Sequence, residues 1–355
     1  MAFVAVGTSG VTRRQGPVCT ATSAPAARKK EREMGSAVRQ LYVRTPLVYS
    51  DEISAIAGRD VLLKMENIQP SGSFKIRGIG HLCLKAKSGG TKRFVSSSGG
   101  NAGAAVAYAG KTLGVQVVVC IPSTTPEFMR ERLERLGAEV VVEGDAWSKA
   151  DKLAREMSKQ ADSTYVSPFD HADIWEGHST MIDEIKEDLN GVVPSAITLS
   201  VGGGGLLLGV CRGLEKNDWL GVTTIAAETE GAASFAATFN AKELVDIGDI
   251  TSVAKSLGAS CVSESVLPWF NRVPLRSMVV SDKQAVEACG KFAVDHRYLV
   301  EAACGATLAI GYDNLLEDIP SGGPVVLIVC GGNMATPGML AKWAKQTGAE
   351  WSDFA

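Results

Sequence analysis

Lys75 lies in the run Pro70, Ser71, Gly72, Ser73, Phe74, Lys75, Ile76, Arg77, Gly78. The small residues before it let a bulky group approach the amine. The apolar stretch after it, IRGIGHLCL, points to a desolvated surround, which lowers a lysine's pKa because burial disfavours the charged form. An amine in that state can form a Schiff base with an aldehyde. The plainer alternative is a helix N-terminus with an exposed lysine, and for this motif taken alone it is the better one.

Two further runs carry chemistry. The first is Ser96, Ser97, Ser98, Gly99, Gly100, Asn101, Ala102, Gly103, directly after a strand pattern and opening a helix pattern. Hydroxyls, free backbone amides and a helix N-terminus suit a carboxylate or a phosphate. A simple helix cap in a tight turn is the equal alternative. The second is Ser200, Val201, Gly202, Gly203, Gly204, Gly205, Leu206. Four consecutive glycines free the backbone to wrap amides around a phosphate. The run is neither a nucleotide P-loop nor a spaced dinucleotide fingerprint. A close helix–strand crossing needs one or two glycines, not four in a row.

These segments are spaced by regular elements. VLLKM (61–65), RFVSS (93–97), VQVVVCI (115–121), AEVVVE (138–143), AITLSV (196–201), VTTIAAE (222–228) and PVVLIVC (324–330) read as strands. GNAGAAVAYAGKTLG (100–114), PEFMRERLERLG (126–137) and WSKADKLAREMSKQ (147–160) read as helices between them. Short Val/Ile-rich runs separated by helices predict an α/β protein with parallel sheets and crossover helices. Ligands of such sheets bind at the carboxyl ends of the strands, where the glycine loops and Cys330-Gly331-Gly332-Asn333 fall. An amine for an aldehyde, a phosphate cradle and a carboxylate site together match pyridoxal phosphate acting on an amino acid.

The bulk properties exclude several other classes. The chain has 355 residues, 45% of them hydrophobic and 21% charged, which is the globular mix and suggests two domains or one large body. A net charge of −3 argues against nucleic acid as a partner. The eight cysteines form no CxxC pair or zinc spacing and read as reduced thiols. No apolar run reaches the roughly 18 residues of a membrane span. Residues 1–40 differ in composition and read either as an organellar transit segment or as a disordered extension without an address. Met34 is a candidate internal start. Otherwise a cytoplasmic location is expected.

PSGSFKIRG, SSSGGNAG, SVGGGGLLLGV and IVCGGN, in this order, resemble the serine/threonine dehydratases of pyridoxal phosphate fold type II. YVRTPL, PFDHADIWEGHST, AAETEGAASF, ITSVAKSLG and LVEAACGA extend the resemblance over almost everything from residue 41 onward. It implies a two-domain α/β fold like that of the tryptophan synthase β subunit. A small domain, 67–172, would be inserted into a large one formed by 41–66 and 173–355.

The resemblance also implies site roles. Lys75 would be the Schiff-base lysine, with Phe74 on the pyridine ring and Asn101 on its 3′-oxygen. Gly202, Gly203, Gly204, Gly205 and Leu206 would hold the phosphate, and Cys330 would face the pyridine nitrogen. Ser98, Gly99, Gly100, Asn101 and Ala102 would hold the substrate carboxylate. A monovalent cation, K+, would take Glu228 and Ser234 with carbonyls of Gly202, Ala232 and Leu257. The implied reaction is elimination of water from L-serine to pyruvate and ammonia, with L-threonine giving 2-oxobutanoate, in a homodimer. Only 25 residues follow Cys330, so no C-terminal regulatory domain is expected. The rivals are a serine racemase of the same fold and a non-catalytic binding protein. Racemisation needs a second acid/base where related racemases carry serine, and Gly99 has no side chain for it.

Overall fold

The computed structural model describes residues 1–2 and 40–351. The expectations for the extension, including Met34, lie almost wholly outside the described residues. Gln40–Ala355 form one compact unit. Its ten strands are β1 (Leu47–Tyr49), β2 (Val61–Lys64), β3 (Arg93–Ser96), β4 (Gln116–Ile121) and β5 (Glu139–Val142), followed by β6 (Ser163–Tyr165), β7 (Ala196–Ser200), β8 (Thr223–Thr229), β9 (Leu275–Val280) and β10 (Val325–Ile328).

They form two sheets. One has the order β1-β2-β10-β7-β8-β9 and the other β5-β4-β3-β6. All pairings are parallel except β1 with β2, where Leu47 faces Lys64. Every residue of β7, β8 and β10 is buried, as expected of inner strands covered on both faces. The helices return the chain between parallel strands and cover the sheets. Ala302–Tyr312 is buried along its whole length, consistent with its all-round apolar and small composition. The strands of the four-stranded sheet all lie between β2 and β7 in the chain.

The strands and helices read from the sequence are all present, with ends that agree to within three residues. The short strands β1 and β6 and the edge strand β9 had no comparable signal. β9, LRSMVV, carries Arg276 and is only partly buried, so its apolar pattern is broken.

Candidate active site

The loops singled out by composition meet at the carboxyl ends of the strands. Lys75 opens the helix Lys75–Ser88, with Phe74 as its N-terminal flanking residue. The segment before it is laid against the loop after β10. Phe74 N–H donates to the Cys330 carbonyl at 3.1 Å, and Gly332 N–H donates to the Gly72 carbonyl at 2.9 Å. Ser73 and Gly331 form an antiparallel bridge. Lysine and thiol segments are thus held together by backbone, which fixes their spacing independently of side-chain rotamers.

Lys75 Nζ donates to the Pro168 carbonyl at 2.6 Å, from the segment after β6. Part of the side chain still meets solvent. Crowding around the amine desolvates it and pulls its pKa down to about 8. Cys330 is 7% exposed. Hydrogen bonding with Cys304, then burial, push its thiol well above the usual range, so it stays neutral.

Asn101, first residue of the helix Asn101–Leu113, ties the serine loop to this centre. Its Oδ1 accepts from Asn333 N–H at 2.8 Å and from Asn333 Nδ2 at 2.7 Å. Its Nδ2 donates to Glu301 Oε1 at 3.1 Å. Glu301 also accepts from Met334 N–H at 2.9 Å and from the Ser256 hydroxyl. It is 3% exposed, and burial raises its pKa. Sequence reasoning missed Glu301 as a site residue; an acid alone in the apolar run LVEAACGA was the available signal.

The 202–206 loop runs from β7 into the helix Gly205–Lys216. No acceptor among the described residues takes its backbone N–H groups. A Cβ on Gly203 would lie 2.4 Å from the Phe169 ring, and Gly204 has φ +89°, so side chains are excluded by space and by conformation. A cradle of free amides at a helix N-terminus fits a phosphate. Together with the desolvated Lys75, the residues present fit pyridoxal phosphate.

Beside this loop, the ideal Cβ position of Gly202 lies 3.3 Å from the Leu257 carbonyl oxygen. Glu228, at the end of β8, is fully buried and accepts from Phe235 and Ala236 N–H, both at 2.8 Å. Burial raises its pKa to about 7. The buried Ser234 hydroxyl has no partner among the described residues. Ala232 bridges back to Thr229 on the same turn. Among the described residues no group of three His, Cys, Asp or Glu could hold a metal.

Two histidines have structural partners. His171 caps the helix Ala172–Asp188 by accepting from Asp173 N–H. His178 is buried against Phe74, centroids 4.9 Å apart, and its pKa falls well below the usual value through burial. A groove of about 630 Å³ lined by Trp175, Arg212, Trp269 and Arg272 lies elsewhere, and none of the candidate residues lines it.

A desolvated lysine, a neutral thiol and a phosphate cradle at the ends of parallel strands define a cofactor-dependent α/β enzyme. The family model for pyridoxal-phosphate dependent enzymes matches residues 38–331. The human L-serine dehydratase/L-threonine deaminase is 46% identical over 316 residues, 87% of this chain and 96% of that protein. The human serine dehydratase-like protein is 46% identical over 82% of this chain and 91% of its own length. The solved structure of an L-serine ammonia-lyase from Rhizomucor miehei is 38% identical, with TM-score 0.83 over 87% of this chain and 100% of that one. The chain therefore belongs to the pyridoxal-phosphate-dependent enzymes, in their serine dehydratase/threonine deaminase family.

Proposed function

We propose that this chain eliminates water from L-serine to give pyruvate and ammonia, and acts likewise on L-threonine to give 2-oxobutanoate. The observation that carries the reading is Lys75, with its pKa down at about 8, joined by backbone to the Cys330 loop. Pyridoxal phosphate, when bound, draws electron density from the substrate Cα, so that a proton and then the β-hydroxyl can leave. The amides of the 202–206 loop would hold its phosphate, and Phe74 and Asn101 are the residues that would bind its ring. Residues 98–102 bind the substrate carboxylate. Lys75, partly neutral near pH 7, removes the Cα proton. Cys330, a neutral thiol, would be the residue beside the ring nitrogen and, unlike an aspartate, could not keep a proton there. The released aminoacrylate hydrolyses in water to pyruvate and ammonia.

Glu228, Ser234 and the carbonyls of Gly202, Ala232 and Leu257 are proposed to hold K+. The unpartnered Ser234 hydroxyl supports this. The small domain is proposed as 67–172, since it contains the whole four-stranded sheet. The active form is proposed to be a cytoplasmic homodimer.

The test is purified protein with pyridoxal phosphate and L-serine. Pyruvate and ammonia in equal amounts are expected. A spectral response without turnover would indicate a binding protein, and D-serine formed as fast as pyruvate would indicate a racemase.

A pH effect follows from Lys75. Only the neutral amine attacks the cofactor aldehyde. With a pKa of about 8 the neutral fraction is about a tenth at pH 7 and half at pH 8, against less than a thousandth at pH 7 for an ordinary lysine. Loading of the cofactor-free chain should speed up as pH rises through 8 and level off above 9, followed by absorbance in a stopped-flow mixer. A rate still climbing tenfold per pH unit at pH 9.5 would contradict the desolvated lysine.

Gly99 gives a third expectation. Its φ lies outside the left-handed region, so backbone strain does not require glycine. Space does: a Cβ would sit 2.7 Å from Thr125 Cγ2 and 2.9 Å from Thr125 Oγ1. Gly99→Ser should therefore cost about 1–3 kcal/mol of stability through overpacking. Adding Thr125→Ala should recover most of that, as read in thermal melts. Equal melts for the single and double variants would refute the steric pairing.

A further inference from the structure

The serine loop is tethered at both ends. Its far end is held by Asn101 through Asn333 and Glu301. At its near end the pairing of β3 with β4 stops at Ser96. From there the Ser97 side chain takes over: its hydroxyl donates to Asp151 Oδ1 at 2.7 Å. Both residues are buried, Asp151 at 8% exposure. Asp151 belongs to the helix Trp147–Met157 and is itself fixed on three sides. The Tyr165 hydroxyl, at the end of β6, donates to Oδ1, and Arg155 Nε donates to Oδ2 at 2.7 Å. Arg155 also lies 4.4 Å over the Tyr165 ring. Hydrogen bonds from Tyr165, Ser97 and Arg155 hold the Asp151 pKa below its ordinary value despite burial, so the carboxylate stays charged at neutral pH.

We infer that Asp151 is a positioning residue for substrate binding: through Ser97 it fixes where the 98–102 loop leaves the sheet, and so sets the amides that meet the substrate carboxylate. This rests on the reading of that loop given above. Among the described residues, Ser97 is the residue through which the Asp151 carboxylate is hydrogen-bonded to the start of the loop. A loop that grips a carboxylate untouched by the reaction binds ground state and transition state alike. Loosening it raises KM and leaves kcat in place.

The experiment uses the holoenzyme and four chains: wild type, Ser97→Ala, Asp151→Asn and the double variant. Ser97→Ala loses a hydrogen bond to a charged group and should raise KM for L-serine roughly tenfold; Asp151→Asn keeps an acceptor but loses its charge and should raise KM severalfold; kcat should stay within about twofold in both. The double variant should be no worse than the poorer single one, because both break the same link. Circular dichroism and melts establish that each variant is folded, and Ser97→Ala serves if Asp151→Asn is not. Lowered melting with unchanged KM would make the cluster purely structural and overturn the inference. So would effects on KM that multiply in the double variant, or kcat falling as far as KM rises. Wild-type protein that makes no pyruvate would overturn the dehydratase reading, and this inference with it.

Discussion

Lys75→Ala is expected to lower pyruvate formation from L-serine by at least about 10³-fold, the upper range for removing one acid/base group, and to remove the visible band of lysine-linked cofactor. The fold should survive. Among the described residues Lys75 Nζ makes a single hydrogen bond, to the Pro168 carbonyl, and the helix it opens is anchored by its buried residues Ile76, Ile79 and Leu82 rather than by the amine. Lys75→Arg should not rescue the activity. Arginine keeps the charge but remains protonated throughout the working pH range, so it can neither attack an aldehyde nor accept the Cα proton. Initial rates, absorbance spectra and melts on the three proteins check this together. Lys75→Ala producing pyruvate at near wild-type rate would sink the assignment of Lys75.

What the sequence disclosed depended on how local each signal was. The inner strands were legible because each is a short unbroken run of Val, Ile, Leu or Ala, and β7, β8 and β10 are indeed buried along their length. The glycine and serine loops were legible because their chemistry is written in adjacent residues. Links across the chain were not. Asn101 and Glu301 are 200 residues apart, and Ser97 and Asp151 are 54 apart, so no spacing rule pairs them. Thr125 gave no sign that its methyl fills the space beside Gly99. Lys64 illustrates the same limit. Nothing in VLLKM marks it as buried, yet it is fully buried and paired with Glu184 at 2.7 Å.

That pair belongs to the second large expected effect. Arg77, two residues beyond Lys75, is completely buried. Its Nε and Nη2 meet the two oxygens of Glu66, both at 2.7 Å, and its Nη1 and Nη2 meet those of Glu184 at the same distance. Lys64 Nζ completes the set against Glu184 and the Thr45 carbonyl. Burial works against the guanidinium charge, but Glu66 and Glu184 outweigh it and raise its pKa. Its buried centre sets two cations, Lys64 and Arg77, against Glu66 and Glu184, with Asp188 a further 3.7 Å from Lys64 Nζ. Arg77→Met keeps most of the volume and removes one cation, leaving a net buried negative charge and four carboxylate oxygens short of their donors. The expected loss is about 3–5 kcal/mol of stability, from the uncompensated charge rather than from a missing attraction. Arg77→Lys should recover little, since one ammonium cannot serve two carboxylates in the plane of a guanidinium. Neutralising one acid as well, with Arg77→Met/Glu66→Gln, should recover more than Arg77→Lys does. Denaturant melts of the four chains test the order. If Arg77→Met unfolds at the wild-type midpoint, the cluster contributes nothing to stability. If Arg77→Lys equals wild type, a single positive charge suffices and the bidentate geometry is incidental. Because Arg77 sits in the first turn of the helix that Lys75 opens, the same loosening should reach the amine. Cofactor retention during gel filtration should then fall in step with stability across the series.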